Sequence, residues 1–379
     1  MSERILISTI MRAEGDTGVQ THFRAVANYL IKQDKSVQLV TPFNAPSWLV
    51  FPTFAVRRLI NPINSEFSVW WYRHWHKVFL QRALKKELAD GKPCVLYAQC
   101  PLSADAAIRA RQSKSQRVVM VVHFNISQAD EWAGKGMIQD KGKIFNAIRN
   151  FEAAVLPKVD KLIFVSDFMR SELIKRIPAI KSLPNKVIPN FLSDPYNALI
   201  TASPATDLIC IGTLEPRKNQ SYAIEIVAEA KKMSRAITLT LVGDGVDRAN
   251  LESLARDLDI SHLVNFAGYV KQGAKLIRQH HACICVAQIE NLPLTLVEAL
   301  AYEKPVFAAA VGGIPEVFDD GIEGRMIPLD DVDKATKLII EWLDSTDVMK
   351  KSGIAARNRY LGSFEESIVA KQLVEFLED

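Results

Sequence analysis

"RILISTIMRAEGDTGVQTHFRAVANYLIKQDKSVQLVT", residues 4–41, decides the fold. Its first seven residues, RILISTI (4–10), are almost wholly apolar and alternate poorly. A strand of that kind is buried on both faces, as in a parallel sheet. A glycine-containing loop follows, MRAEGDTGVQ, then the helical pattern THFRAVANYLIKQ, then a second buried strand, SVQLVT. Strand, loop, helix and strand in that order make a βαβ unit.

Outward from this unit the pattern repeats. Strands read at PCVLYAQ (93–99), RVVMVVHF (117–124) and KLIFVS (161–166), with helical patterns such as SADAAIRARQ and KIFNAIRNFEAAVLP between them. The stretch NKVIPNFLSDPYNALITASPATD (185–207) is irregular and proline-rich, which places a domain boundary near Asn190. A second α/β series follows, with strands at LICIGT (208–213), ITLTLVG (237–243), LVNFAG (263–268), ACICVA (282–287) and PVFAAA (305–310). The end, SFEESIVAKQLVEFLED, reads as one amphipathic helix. The expected architecture is α/β: two doubly wound Rossmann-like domains facing a central cleft. The first spans 1–190 and the second 191–360, with a terminal helix, 361–379, packing back on the first. Ligands in such folds bind at the carboxyl ends of strands, so the cleft is the expected site.

The bulk numbers agree with this division. A chain of 379 residues is long for one core, and 48% apolar with 24% charged residues is ordinary for a soluble globular protein. No run of about 18 apolar residues occurs, so no membrane span is expected. MSERILISTI lacks the apolar core and cleavage site of a signal peptide. The five cysteines are odd in number, form no C-x-x-C pair and sit mostly in apolar runs, which reads as buried reduced thiols in a cytosolic protein. Residues 1–190 hold 28 Lys and Arg against 15 Asp and Glu, a net +13, while the remainder holds 19 against 28, a net −9. The first half is therefore expected to meet something anionic, although a solvated basic surface accounts for the same imbalance.

Five clusters fall at strand ends of this layout. GDTGVQTHF carries Gly15 and Gly18 at a helix start, where backbone amides are left free. It is neither a G-x-G-x-x-G nor a P-loop, and an ordinary βα turn explains it equally well. His123 ends its strand; by spacing alone it reads as a core histidine. GTLEPRKNQ (212–220) sets Arg217 and Lys218 after a strand and a turn, and two adjacent cations there suit a diphosphate or a solvated turn. LVGDGVDRANLESLA repeats the glycine-loop logic at Gly243 and Gly245. In ACICVAQIENLPLTLVEALAYE, Glu290 lies just past a strand, Pro293 falls in the first turn of a helix and Glu298 about one turn in. Helix starts attract phosphate, and carboxylates accept hydrogen bonds from vicinal hydroxyls. Two acids flanking an anion site fit a nucleotide that carries a second sugar.

In this order the clusters resemble a retaining glycosyltransferase of glycosyltransferase family 4, with the GT-B fold. ENLPLTLVEALAYEKPV (290–306) resembles that family's E-x7-E region, E-G-F-G-x-x-x-x-E-A-x-A-x-G-x-P-V, and VGGIPEVFDDGIEGRMIPLDD matches its continuation. The resemblance covers nearly the whole chain and is strongest from Leu208 to Pro328. It implies that Glu290 binds donor-sugar hydroxyls, Glu298 the ribose, and Arg217 and Lys218 the diphosphate. Leu292, Leu294 and Thr295 line the donor at the helix start, the last two through amides near phosphate. Gly18 brings an amide to the phosphates, Gly212 and Gly243 belong to the donor-binding set, the base rests near Gly268 and Val270, and His123 contacts the transferred sugar. His123, Glu290, Arg217 and Lys218 form the implied catalytic set. The family's Gly-Phe-Gly is Asn291-Leu292-Pro293 here, so one expected amide donor is missing. The usual first glycine of the N-terminal pair is Thr17, and Glu303 replaces a common glycine.

The implied function is transfer of a hexose, from UDP-glucose or a related UDP-hexose, to a glycan or lipid-linked saccharide in bacterial polysaccharide biosynthesis, with retention and without a metal or other cofactor. Two alternatives are a non-catalytic scaffold binding a sugar nucleotide or glycan, and a UDP-sugar epimerase. A dehydrogenase lacks its G-x-G-x-x-G fingerprint. The stretch 46–86 holds four of the six tryptophans, Trp48, Trp70, Trp71 and Trp75, interleaved with seven cations. That composition suits an anionic membrane surface or a lipid-diphosphate acceptor, or else an elaborated core. No nucleic-acid partner is expected, since no binding module appears. The expected location is cytoplasmic, peripheral on the inner face of the plasma membrane.

Overall fold

The structure is a computed structural model that describes residues 4–15, 17–195 and 206–379. The chain divides into two compact units, Met1–Pro189 with Val369–Asp379, and Asn190–Ile368. In the first unit six strands form one sheet: β1 (Arg4–Ser8), β2 (Val37–Val40), β3 (Cys94–Ala98), β4 (Gln116–Val122), β5 (Lys161–Phe164) and β6 (Asn185–Val187). All neighbours run parallel in the order β2-β1-β3-β4-β5-β6. β3 is buried along its whole length, because helices cover both faces of a parallel sheet.

The second unit repeats the plan. Its strands are β7 (Thr206–Ile211), β8 (Leu239–Val242), β9 (Val264–Gly268), β10 (His280–Cys285), β11 (Val306–Ala308) and β12 (Gly324–Met326). Their parallel order is β12-β11-β10-β7-β8-β9. The winding reverses between β7 and β10 here, and between β1 and β3 in the first sheet. At such a reversal the loops leaving adjacent strands diverge and open a crevice at the carboxyl ends.

The apolar runs are longer than the strands they contain. RILISTI stops pairing at Ser8, and ACICVA at Cys285. Val286 and Ala287 stay buried beyond the ladder, so burial alone cannot mark where pairing ends. β6 and β12 escape the apolar pattern because each is a three-residue edge strand with little hydrophobic content. All five cysteines are free and buried.

Two helix termini differ from the sequence expectation. Pro293 stands at the N-cap of the helix Leu294–Ala301, one position before its first turn. The terminal helix runs Glu366–Glu378 rather than from 361, because a preceding helix, Thr346–Ser363, occupies that region. Between them Glu365 bridges to Leu192; the Leu192 amide donates to Phe364 O (3.2 Å) and the Glu366 amide to Leu192 O (3.0 Å). Tyr360, fully buried, donates its hydroxyl to the same Leu192 carbonyl at 2.9 Å. From Val369 onward the helix belongs to the first unit. There Lys161 Nζ donates to Phe376 O (2.9 Å), Arg117 Nη2 to Glu378 O (3.0 Å), and Lys35 pairs with the Glu378 carboxylate.

Residues 46–86 form two helices between β2 and β3, Ser47–Ile60 and Ser65–Glu87, the second capped by Asn64 through the Phe67 amide at 2.9 Å. Among the described residues no helix is long and apolar enough to cross a membrane.

Candidate active site

The loop after β7 turns through Pro216–Lys218 and reaches the helix Gln220–Lys232 by way of Asn219, which takes a left-handed conformation. Gln220 holds the turn by donating from its amide to Thr213 O at 2.9 Å. This turn delivers two cations to one acid. Arg217 donates from Nη2 to Glu215 (2.7 Å), and from Nη1 to Ile289 O (3.1 Å) and Glu290 Oε1 (3.3 Å). Lys218 Nζ donates to that same Glu290 oxygen. The Gln288 amide returns to Arg217 O at 3.0 Å, so the loops after β7 and β10 are stitched together where the winding reverses. Burial works most strongly against the Lys218 charge, but Glu290 and Cys285 together outweigh it and hold the ammonium above its ordinary range. Lys218 is therefore charged at neutral pH.

Glu290 itself is buried, at 8% exposure. The Gly313 amide donates to its carbonyl at 2.9 Å. Gly312, at φ 59°, passes so close that a Cβ there would lie 1.9 Å from that carbonyl oxygen. Two residues on, Asn190 donates from Nδ2 to Leu292 O at 3.1 Å. The helix Leu294–Ala301 then begins at Pro293 with no side-chain cap. Its first backbone acceptor is Pro293 O, taken by the Leu296 amide at 3.1 Å. The amides of Leu294 and Thr295 have no intrahelical acceptor, and they carry the positive end of the helix dipole.

Glu298 follows on this helix. Burial raises its carboxyl to about 7. A carboxyl raised in the folded state is most favourable when protonated, so its contribution is present below the unfolded value, near 4.5, and is lost as pH rises through about 7. Glu298→Gln removes the penalty. The stability advantage of the variant in urea unfolding should widen by about 2 kcal/mol between pH 5 and pH 8. An advantage that is flat with pH contradicts the assignment.

Gly212, Gly243 and Gly268 close the ends of three neighbouring strands. The Gly212 amide donates to Val242 O (2.9 Å) and the Gly243 amide to Gly268 O (2.8 Å). A Cβ on Gly243 would sit 2.0 Å from Gly212 O, so the two loops meet backbone to backbone. Val270, half-buried, lies two residues beyond β9.

In the first unit the loop after β1 is held by Gln20, whose amide donates to Arg12 O (3.0 Å) and Glu14 O (2.6 Å) and whose oxygen receives the Thr17 amide (3.2 Å). Thr17 and Gln20 form a capping box, so Gly18 is the first residue of the helix Gly18–Lys32. At the end of β4, His123 Nε2 lies 3.2 Å from Gln99 Oε1. Its ring stands edge-on to His22 at 4.5 Å between centroids, and His22 Nε2 lies 2.8 Å from the Tyr97 hydroxyl. Burial first, and His22 second, push His123 well below the ordinary imidazole value. It is neutral at physiological pH and offers hydrogen bonds rather than charge.

The structure thus joins Arg217, Lys218 and Glu290 directly, and sets Leu292, Leu294, Thr295 and Glu298 on the loop and helix that follow. It places His123 and Gly18 in the first unit. Reading the sequence overlooked Glu215, Asn190, Gln20 and the His22–Tyr97–Gln99 set. Glu215 and Gln20 stood inside quoted loops, and Gln20 binds backbone only three to eight residues away; the others are polar residues whose roles arise from contacts distant in sequence.

Two family models match the chain: Glycosyltransferase Family 4 over residues 17–194, and Glycosyl transferases group 1 over residues 201–359. The chain belongs to the family 4 glycosyltransferases. A curated relative, the GDP-mannose-dependent alpha-(1-6)-phosphatidylinositol monomannoside mannosyltransferase of Mycolicibacterium smegmatis, is 28% identical over 181 residues, 45% of this chain. The chain spans 47% of that relative's length. Among solved structures, sucrose-phosphate synthase of Thermosynechococcus elongatus is similar at TM-score 0.76 and 17% identity over 98% of both chains. Anabaena HepE, solved with UDP and glucose, is similar at TM-score 0.70 and 16% identity over 99% of both. The family 4 chain therefore has the GT-B fold.

Proposed function

We propose that this family 4 protein transfers a hexose from a nucleoside diphosphate sugar to a glycan or lipid-linked saccharide, with retention at the anomeric carbon. The observation that supports it most is the convergence of Arg217 and Lys218 on Glu290, at the winding reversal and beside an uncapped helix start. Departure of a nucleoside diphosphate leaves negative charge on its oxygens. Two fixed cations and the free amides of Leu294 and Thr295 are preorganised donors for that charge, so no metal ion is needed in this reading. The bond from the anomeric carbon to the phosphate oxygen breaks with its electron pair on oxygen. The acceptor hydroxyl forms its bond on the same face and gives its proton to the departing phosphate. Glu290 accepts hydroxyls of the transferred sugar with the lone pairs its cations leave open, and Glu298 accepts those of the ribose. His123 and Gly18 are assigned to the donor on the family resemblance.

UDP-glucose or a related UDP-hexose is the first donor to test. GDP-mannose, named for the mycobacterial relative, is the second. With UDP-glucose alone, slow release of UDP is expected. A donor at about 100 times its Kd should stabilise the protein by about 2.7 kcal/mol, read as a raised Tm. If no common nucleotide sugar is bound or hydrolysed, the proposal fails. The scaffold reading draws on Pro293, which removes one amide from the phosphate site; it predicts tight donor binding with no transfer to any acceptor. Conversion of UDP-N-acetylglucosamine without an acceptor would instead favour an epimerase. We place the reaction in the cytoplasm, in polysaccharide biosynthesis at the inner face of the plasma membrane.

A further inference from the structure

The chain that leaves β4 beyond His123 makes a turn that its own side chains resist. Ile126 stands at φ 53°, and of the described non-glycine residues at positive φ it alone is β-branched. Left-handed backbone crowds Cβ against a carbonyl oxygen, and branching at Cβ adds to the crowding. The Ser127 amide donates to Asn125 O at 2.5 Å across Ile126, which closes a three-residue turn of the rare left-handed kind. Phe124, just before the turn, is buried in the core of the first unit. Strain of this kind persists only where surrounding groups over-determine the conformation.

Glu152, fully buried on the helix Lys143–Val155, supplies the hold. Its Oε2 accepts the Ser127 hydroxyl at 2.7 Å and its Oε1 the Gln128 amide at 2.9 Å. Arg176, at the end of the helix Asp167–Arg176, stands 2.7 Å from Oε2 as the counter-charge. Gln128 is gripped a second time, because the buried Arg73 donates from Nη1 to its side-chain oxygen at 2.9 Å. Upstream, the Asn125 amide donates to Glu131 Oε1 at 3.3 Å. A buried carboxylate is costly unless it is paired and hydrogen-bonded. Arg176 pairs with this one, but both hydrogen bonds come from the segment that follows His123. The carboxylate and the turn therefore stabilise each other.

We propose that Glu152 is a positioning residue for glycosyl transfer: it holds the left-handed turn at Ile126 and so fixes the backbone on which the sugar contact assigned to His123 depends. The role in transfer rests on the reading above; the hold on the turn does not. Glu152 touches no substrate and acts through Ser127 and Gln128. Without it, residue 126 relaxes toward negative φ, and the segment from His123 to Gln128 loses its fixed course. A small misplacement of a group at the reacting centre costs rate. Arg217, Lys218 and Glu290 belong to the second unit and keep their grip on the nucleotide, so the loss falls on turnover rather than on donor binding.

The test is a double-mutant comparison on the full chain. Glycine enters positive φ without a side-chain penalty, so Ile126→Gly removes the need for the hold. Glu152→Gln should speed hydrogen exchange at the Ser127 amide by about tenfold or more, the scale of the strain at one such residue. It should lower kcat for UDP release from UDP-glucose, or for GDP release from GDP-mannose where that donor is the one hydrolysed, by a similar factor. The donor KM should stay within about twofold. In the Ile126→Gly background the same substitution should change exchange and kcat by less than about threefold. Ser127→Ala removes one bond to the carboxylate without stranding a buried charge, and it carries the same comparison if Glu152→Gln does not fold. Unchanged exchange and kcat, a loss equal in the two backgrounds, or a donor KM that moves as far as kcat each overturns the proposal. Exchange that quickens in Glu152→Gln and recovers with Ile126→Gly, in a protein that neither binds nor hydrolyses any nucleotide sugar, upholds the hold on the turn and removes the transferase reading alone.

Discussion

Glu290→Gln should lower UDP release from UDP-glucose by about hundredfold or more, the scale of losing one preorganised group from a charge-stabilising site. The change keeps the shape and one carbonyl acceptor. It removes the charge on which Lys218 and Arg217 converge, and with it the force that aligns both cations. It also leaves two partly buried cations without that counter-charge, so Tm should fall as well. The two effects separate by ligand: a saturating nucleoside diphosphate supplies negative charge and should recover much of the lost Tm without recovering turnover. Wild-type UDP release in the variant would remove Glu290 from the chemistry.

Gly312→Ala should be as damaging, although Gly312 carries no side chain to offer a substrate. Its backbone is left-handed, which costs a non-glycine residue about 1–3 kcal/mol. The added methyl would also lie 1.9 Å from Glu290 O, so backbone must move, and what moves is the segment that positions the acid. A lower Tm and at least about tenfold weaker donor binding are expected, with the Gly313–Glu290 bond as the first to stretch. Gly321→Ala is the control. Its φ of 83° imposes comparable backbone strain, but nothing lies within 4 Å of the added carbon, so donor binding should persist. Unchanged donor affinity in Gly312→Ala would falsify the view that this close approach sets the position of Glu290.

The alternation of buried strands with helices was legible because parallel strands are apolar throughout, and the reading of RILISTI and SVQLVT located β1 and β2 within two residues. The same property hid the strand ends, since residues such as Val286 and Ala287 remain buried in the loops that leave the sheet. Arg217, Lys218 and Glu290 could be named from their places after strands. That all three share one carboxylate oxygen could not, because the two loops lie about 70 residues apart in the chain and meet only when β7 and β10 pair. Thr17-x-x-Gln20 carried the spacing of a capping box, which the reading of the glycines passed over; Gln99 gave no signal, because a glutamine at a strand end acquires a role only from the ring it meets. The aromatic and basic stretch 46–86 showed its composition plainly, but not which rings face outward. That depends on helix phase, which leaves Trp48 exposed while Trp71 anchors to Thr53 O at 2.9 Å.

The first unit is finished by residues that follow the whole of the second. Lys161, Arg117 and Lys35 acquire their contacts with Phe376 and Glu378 only after residues 190–368 have been made. During synthesis, the amino-terminal sheet must wait, partly uncovered, while its carboxyl-terminal neighbour emerges and folds. A polypeptide severed at Asn190 would therefore yield a first half that lacks one of its own helices, and a second half ending in an orphaned amphipathic tail.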